Sequence, residues 1–143
     1  MKAPAKHAVL VTPASFTNGA TASGYVDTKG YDYVEIEITA ATANVVSNSP
    51  SVCKLQESDT TDATNFADIT GAVGGTSFTI GNDLTSLPNQ RAFCVDLRGR
   101  KRYIQVVVSP RTTQIMSVTA QLGRGEQAPV TATKAGVQAL VTI

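Results

Sequence analysis

His7 is the only histidine in the chain, and most hydrolytic or metal-dependent chemistry would have to use it. A Ser-His-Asp or Cys-His arrangement needs a base with fixed geometry and a tuned pKa, whereas His7 lies in an N-terminal segment. Cys53 and Cys94 are far apart and form no CxxC motif, so they do not predict a zinc site with it. We therefore predict an exposed histidine on an edge strand, no catalytic residue and no metal site.

Two groups of acidic residues are the remaining candidates for chemistry. Glu35 and Glu37 share one strand face, as paired glycosidase carboxylates could, but the chain has no tryptophan to stack on a sugar. A solvated strand face is therefore favoured for them. The run 57–65, ESDTTDATN, lacks the EF-hand spacing and predicts a loop that caps its own backbone, with adventitious calcium binding as the alternative. No nucleotide-binding glycine motif occurs, and no cofactor is predicted.

Basic residues are concentrated in one predicted turn, which consists of Arg98, Arg100, Lys101 and Arg102 around Gly99. Cations at this density can contact phosphate or an acidic protein surface, and the alternative is a solvated turn. No aromatic side chains alternate with them as stacking platforms, so specific nucleic-acid binding is not expected. The net charge of +1 gives no global field that would steer the chain onto nucleic acid or a membrane.

Short strands must position these groups. Period-two alternation places Val34, Ile36 and Ile38 on one strand face, as in an antiparallel sheet with one dry side. The segment 102–108, RYIQVVV, repeats the pattern before Pro110. About eight strands, with one possible helical turn at 62–67, predict an all-β fold: an antiparallel β-sandwich, jelly-roll-like, with extended N- and C-terminal arms. The other runs, separated by turn clusters, are 7–15, 52–57, 77–80, 92–96 and 114–122.

The chain of 143 residues suits a single domain, which we place at 1–129 with a short N-terminal arm, followed by a C-terminal arm at 130–143. The apolar tip of that arm would be an aggregation liability if left free. It should be covered by its own sheet or by a neighbouring subunit, and we favour the neighbour. The predicted partner-binding residues of this arm are Val137, Leu140, Val141 and Ile143.

The expected cellular compartment predicts the state of the two cysteines. With no signal peptide recognised, we expect the chain to be made and kept in the cytosol until assembly. In that reducing environment Cys53 and Cys94 are predicted to be small buried thiols, with a cross-strand disulfide as the alternative.

Four motifs follow one another along the chain: GYDYVEI (30–36), LQESDTTDATNFADI (55–69), DLRGRKRYIQVVV (96–108) and QLGRGEQAP (121–129). This ordered series resembles a group of small tailed-phage and prophage virion proteins, the capsid cement (decoration) proteins with a jelly-roll core. The likeness covers most of residues 24 to 130. It implies a homotrimer, or a dimer, seated on the major capsid protein at the virion surface and made in the host cytoplasm. It brings no active site. The contacts would come from segment 1–7, the turn 98–102 and the C-terminal arm.

Two other functions fit the same features. A head–tail adaptor or a tail or fibre module is an alternative, because jelly rolls recur throughout virions and a fold does not fix a function. A carbohydrate-binding module for host attachment is the other alternative. The absence of tryptophan and the 6% aromatic content count against it.

Overall fold

The computed structural model describes residues 6–43, 49–124 and 139–143. Segment 1–5 and Val137 therefore lie outside the described residues, as does most of the predicted C-terminal arm. Within these ranges the chain forms strands and one short 3-10 helix at Ala63–Asn65, where a helical turn was expected. The strands are β1 (Lys6–Phe16), β2 (Ala22–Asp27), β3 (Tyr33–Ala40), β4 (Val52–Ser58), β5 (Ala67–Val73), β6 (Asn89–Asp96), β7 (Tyr103–Ser109), β8 (Gln114–Gly123) and β9 (Ala139–Thr142).

The strands form where apolar residues alternate with polar ones. In β3 every second residue from Val34 is buried, and the residues between them are half exposed. Strand β7 has the same pattern, with Ile104 and Val106 fully buried. Burying the apolar row of each strand removes it from water, which stabilises the fold by roughly 25 cal/mol per Å² of apolar surface. The predicted faces of these two strands are confirmed.

Strand order confirms the jelly-roll prediction. One sheet has the order β1-β8-β3-β6-β9 and the other β2-β7-β4-β5. The antiparallel pairs β1 with β8, β2 with β7, β3 with β6 and β4 with β5 make one long hairpin. The additional pairs β3 with β8 and β4 with β7 wrap that hairpin into two facing sheets. This arrangement is the double Greek key of a jelly roll, with β9 added at one edge.

The ninth strand corrects the expectation for the C-terminal tip. Strand β9 pairs in parallel with β6 of the same chain, so the tip is covered by its own sheet and not by a neighbouring subunit. The Val141 side chain is 9% exposed and belongs to the core. Ile143 packs against the core and extends the pairing, because its amide donates to Cys94 O at 3.0 Å. The apolar tip thus stabilises its own sandwich at the open edge of β6.

The opposite side of the sandwich closes where β1 crosses β2. A Cβ atom placed on Gly24 of β2 would lie 2.0 Å from Leu10 O in β1, so only a glycine permits this approach. The predicted edge strand at 7–15 is confirmed as β1, and it carries two register shifts against β8 as well as Pro13. Bulges and proline prevent an edge strand from pairing with another chain.

Three segments differ from the sequence-based expectation. Strands β2 and β5 were not predicted. The predicted strand at 77–80 is wrong, since only one bridge, from Gly74 to Phe78, occurs there. Ile80 is nevertheless buried, because this segment covers the end of the core without joining a sheet. Among the described residues, no helix is long and apolar enough to cross a lipid bilayer.

Candidate interaction surfaces

The basic turn connects β6 to β7, and its best-ordered cation is Arg102. The Arg102 guanidinium donates two hydrogen bonds to the Asp27 carboxylate, at 2.9 and 2.7 Å, in the bidentate geometry that suits this pair. This interaction lowers the pKa of Asp27 from 3.8 to about 2. The guanidinium also lies 5.1 Å from the centroid of the Tyr103 ring, a cation–π contact. Arg102 therefore has two intramolecular partners.

Two further cations of the turn are also paired. Arg98 forms an ion pair with Asp96, and its guanidinium holds the pKa of that carboxyl at about 2. Arg100 lies 3.7 Å from Glu57 Oε1, and both side chains are largely buried. Lys101 has no side-chain ion pair within the described part of the chain, although its amide donates to Glu57 Oε2. The turn thus presents little uncompensated charge, which favours the solvated-turn interpretation over binding of phosphate.

Of the predicted binding residues in the C-terminal arm, Val141 and Ile143 have described side chains, and these two do not join the turn in one exposed surface. Val141 is part of the hydrophobic core, and Ile143 packs against that core. The backbone of Leu140 pairs with that of Ala92, and the structure does not describe the Leu140 side chain. Val137 cannot be placed. The end of the chain does reach the base of the turn, because the Asp96 amide donates to Ile143 O at 3.0 Å.

The two cysteines are free and buried, so the disulfide alternative is wrong and the buried-thiol prediction is confirmed. Cys53 on β4 belongs to the core, and burial raises the pKa of its thiol to about 11. Burial likewise raises the pKa of Cys94, with a further contribution from the nearby Glu35 carboxylate, to about 11. A high pKa leaves almost no thiolate at neutral pH, which makes both residues poor nucleophiles.

The outer side of the five-stranded sheet brings together groups that the sequence analysis considered separately. His7 on β1 is exposed, as predicted, and it lines a groove of about 310 Å³ with Glu35 and Glu37. Gln90 donates to Glu37 Oε1 at 2.8 Å, so this carboxylate has an amide partner across the sheet. No cluster of three or more potential metal ligands occurs in the ranges that the structure covers. The absence of catalytic and metal sites stays a prediction.

Two large apolar side chains are exposed on this same sheet. Val9 on β1 is 60% exposed and Ile115 on β8 is 57% exposed, and both point away from the core at positions fixed by the strand register. Uncharged residues separate them along β8, including Thr119, the Cα partner of Val9. We call the surface formed by Val9, Ile115, Thr119 and Gln121 the Val9–Ile115 face.

The other sheet carries an aromatic patch, which we define as Tyr25, Phe66 and Tyr103. Tyr25 is 47% exposed, and its ring centroid lies 5.8 Å from that of Phe66 and 5.8 Å from that of Tyr103. The sequence analysis missed this patch. Its members come from three elements that only the pairing of β2 with β7 and the loop before β5 bring together, so no local signal could reveal it.

Comparisons with protein-family models, with curated proteins and with solved structures gave no match for this chain. The fold is therefore established by the strand order alone. The resemblance to capsid cement proteins stays a hypothesis about function.

Proposed function

We propose that this chain is a structural virion protein of the capsid cement type. It binds the outside of a shell of major capsid protein as a homo-oligomer, a trimer or a dimer. The motifs at 55–69 and 100–108 support this proposal, and a jelly-roll core agrees with it without deciding it. Both candidate thiols are buried, and three cations of the basic turn pair with Asp27, Glu57 and Asp96.

The observation that carries the proposal is the Val9–Ile115 face. Uncharged Thr119 and Ser117 lie along β8 between the Val9 and Ile115 positions, and Glu35 and Glu37 of β3 border the face. Exposed aliphatic side chains on rigid strands are typical of a surface that excludes water against a partner. The edge of β1 is protected by its bulges and by Pro13, so contact is expected through the sheet face and not by adding a strand. Modest contacts of this kind become strong when a symmetric oligomer makes several at once.

The test replaces Val9 and Ile115 by aspartate, singly and together, and measures occupancy on shells assembled from the cognate major capsid protein. The double variant should lose binding by at least about tenfold, because two desolvated carboxylates would oppose the contact. Leu87→Asp is the matched control, since Leu87 is 59% exposed on the β5–β6 connection. Circular dichroism verifies that each variant folds.

Three outcomes contradict parts of the proposal. Failure of the unaltered chain to bind any shell would exclude the cement function. Normal occupancy by the double variant would exclude the Val9–Ile115 face as the contact. A copy number of about a dozen per particle, instead of hundreds, would favour the head–tail adaptor or the tail or fibre module, because connectors follow ring symmetry.

A further inference from the structure

The aromatic patch is held in a fixed arrangement. The Tyr103 ring meets the Tyr25 ring edge-on at 87°, and the Phe66 ring is tilted by 33° to it. Such contacts restrict the rotamer of the exposed Tyr25 side chain. A ligand that stacks on this ring would therefore lose little of its binding free energy to ordering the protein.

Hydrogen-bonding side chains continue across the sheet from the patch. Gln105 is the Cα partner of Tyr25, and its amide donates to Gln56 Oε1 at 3.4 Å. The Gln56 amide donates in turn to Asp68 Oδ1 at 2.8 Å. On the other side of the patch lies the Asp27–Arg102 pair. Planar amide, carboxylate and guanidinium groups of this kind can donate to and accept from neighbouring hydroxyl groups.

The charges on this sheet cancel in pairs. Arg102 is matched by Asp27, and Lys54 is matched by Asp68 at 2.8 Å. A nucleic acid would require unmatched cations. Of the described large hydrophobic side chains with high exposure, Tyr25 alone lies on this sheet, so the exposed apolar surface here is centred on one ring. One exposed ring with neutral hydrogen-bonding neighbours instead matches a sugar, which has an apolar C–H face and a hydroxyl rim.

We propose that the outer face of the four-stranded sheet binds a neutral glycan. Tyr25 stacks on one sugar ring, and Gln105, Gln56 and the Asp27–Arg102 pair bind its hydroxyl groups. This site is on the opposite sheet from the Val9–Ile115 face, so it does not depend on the proposed function. In an assembled shell it would leave the chain able to bind surface polysaccharide.

The first experiment is a printed array of neutral and anionic oligosaccharides probed with the full chain. Saturable binding to neutral sugars is expected. Tyr25→Ala should weaken it by at least about fivefold, whereas Tyr25→Phe, which keeps the ring, should remain within about threefold. Gln105→Ala is a second variant on the same sheet and should also weaken binding. Leu87→Ala, on the exposed β5–β6 connection and outside both proposed surfaces, is the matched control and should have no effect.

The second experiment is an amide-resolved nuclear magnetic resonance titration with the tightest neutral oligosaccharide from the array. Shifts confined to β2, β7 and β4 around Tyr25 and Gln105 would support the proposal without relying on any variant. Binding only to anionic sugars, no binding at all, or shifts confined to the five-stranded sheet would overturn it. Loss of shell occupancy by Tyr25→Ala without any glycan binding would also overturn it, and would assign the patch to a protein partner.

Discussion

Shortening Val141 to alanine should lower the free energy of unfolding of the isolated chain by about 1 to 2.5 kcal/mol. Val141 is 9% exposed in the core beside its Cα partner Phe93. The substitution removes two methyl groups, each contributing about 0.8 kcal/mol of transfer free energy, and leaves a small cavity with its own cost. For a chain of this length the corresponding decrease in Tm is about 3 to 8 °C.

The matched control is Val9→Ala, which makes the same chemical change on the opposite edge strand. Val9 is 60% exposed, so its truncation should change stability by less than about 0.5 kcal/mol. Urea unfolding of both variants, followed by circular dichroism, gives the two differences directly. The size of the difference between the variants measures how deeply β9 is inserted into its own sandwich.

A dilution series distinguishes the chain's own sheet from a neighbour's. If β9 pairs with β6 of the same chain, the effect of Val141→Ala is independent of protein concentration. If the tip were covered by another subunit, the destabilisation would appear only where the chains associate. Equal effects of Val141→Ala and Val9→Ala, or an effect that disappears on dilution, would refute the assignment of β9.

Two further predictions concern a surface ion pair and a close strand crossing. Because Arg102 lowers the pKa of Asp27 from 3.8 to about 2, this carboxylate stabilises the folded state above pH 4, and the contribution is lost as the pH falls towards 2. Asp27→Asn should therefore cost up to about 1 kcal/mol at pH 6, a value limited by solvent exposure, and clearly less at pH 2, where about half of the folded-state carboxylate is protonated. Equal costs in urea unfolding at both pH values would contradict this. Gly24→Ala should cost at least about 3 kcal/mol, because its Cβ would meet the Leu10 carbonyl at 2.0 Å. Gly123→Ala should cost less, since its Cβ would meet the end of a side-chain ring that can move, and a thermal melt showing the reverse order would contradict the reasoning.

The long strands could be predicted from the sequence because each has one dry face. A slip of one residue would turn Val34, Ile36 and Ile38 towards water, so alternation fixes both the strand and its register. The same argument held for β8, where Met116 and Leu122 are buried. The number of such segments and the spacing of the turns between them predicted a jelly-roll-like β-sandwich, whereas the strand order depends also on β2 and β5, which were missed.

Strand β2 could not be predicted, because its residues are selected by contacts with β7 and β1, which are distant in the sequence. Its only buried hydrophobic residues are Ala22 and Val26, which form a weak pattern. Gly24 lies between them because β1 passes too close for any side chain, and this close approach cannot be read from the local sequence. Tertiary packing decides such a strand, and β-propensity alone does not identify it.

The basic turn also depends on contacts that the sequence does not show. The sequence displays a run of cations at 98–102, but the carboxylates that neutralise it come from Asp27, Glu57 and Asp96. Two of these three lie on other strands. The sequence therefore indicates where charge is concentrated and cannot show how much of it remains for a partner.

Assigning the C-terminal tip to its own sheet changes which surfaces can bind. An adhesive arm would have left β6 with an open edge, whereas β9 closes that edge and β1 is blunted by bulges. The edge strands are then β1 and β9 in one sheet and β2 and β5 in the other, and the two sheet faces present side chains for recognition. They differ in chemistry, since the Val9–Ile115 face exposes aliphatic side chains and the aromatic patch lies among hydrogen-bonding groups. A sandwich with two unlike faces can bind a shell with one and a soluble ligand with the other, which an arm-based attachment would not require.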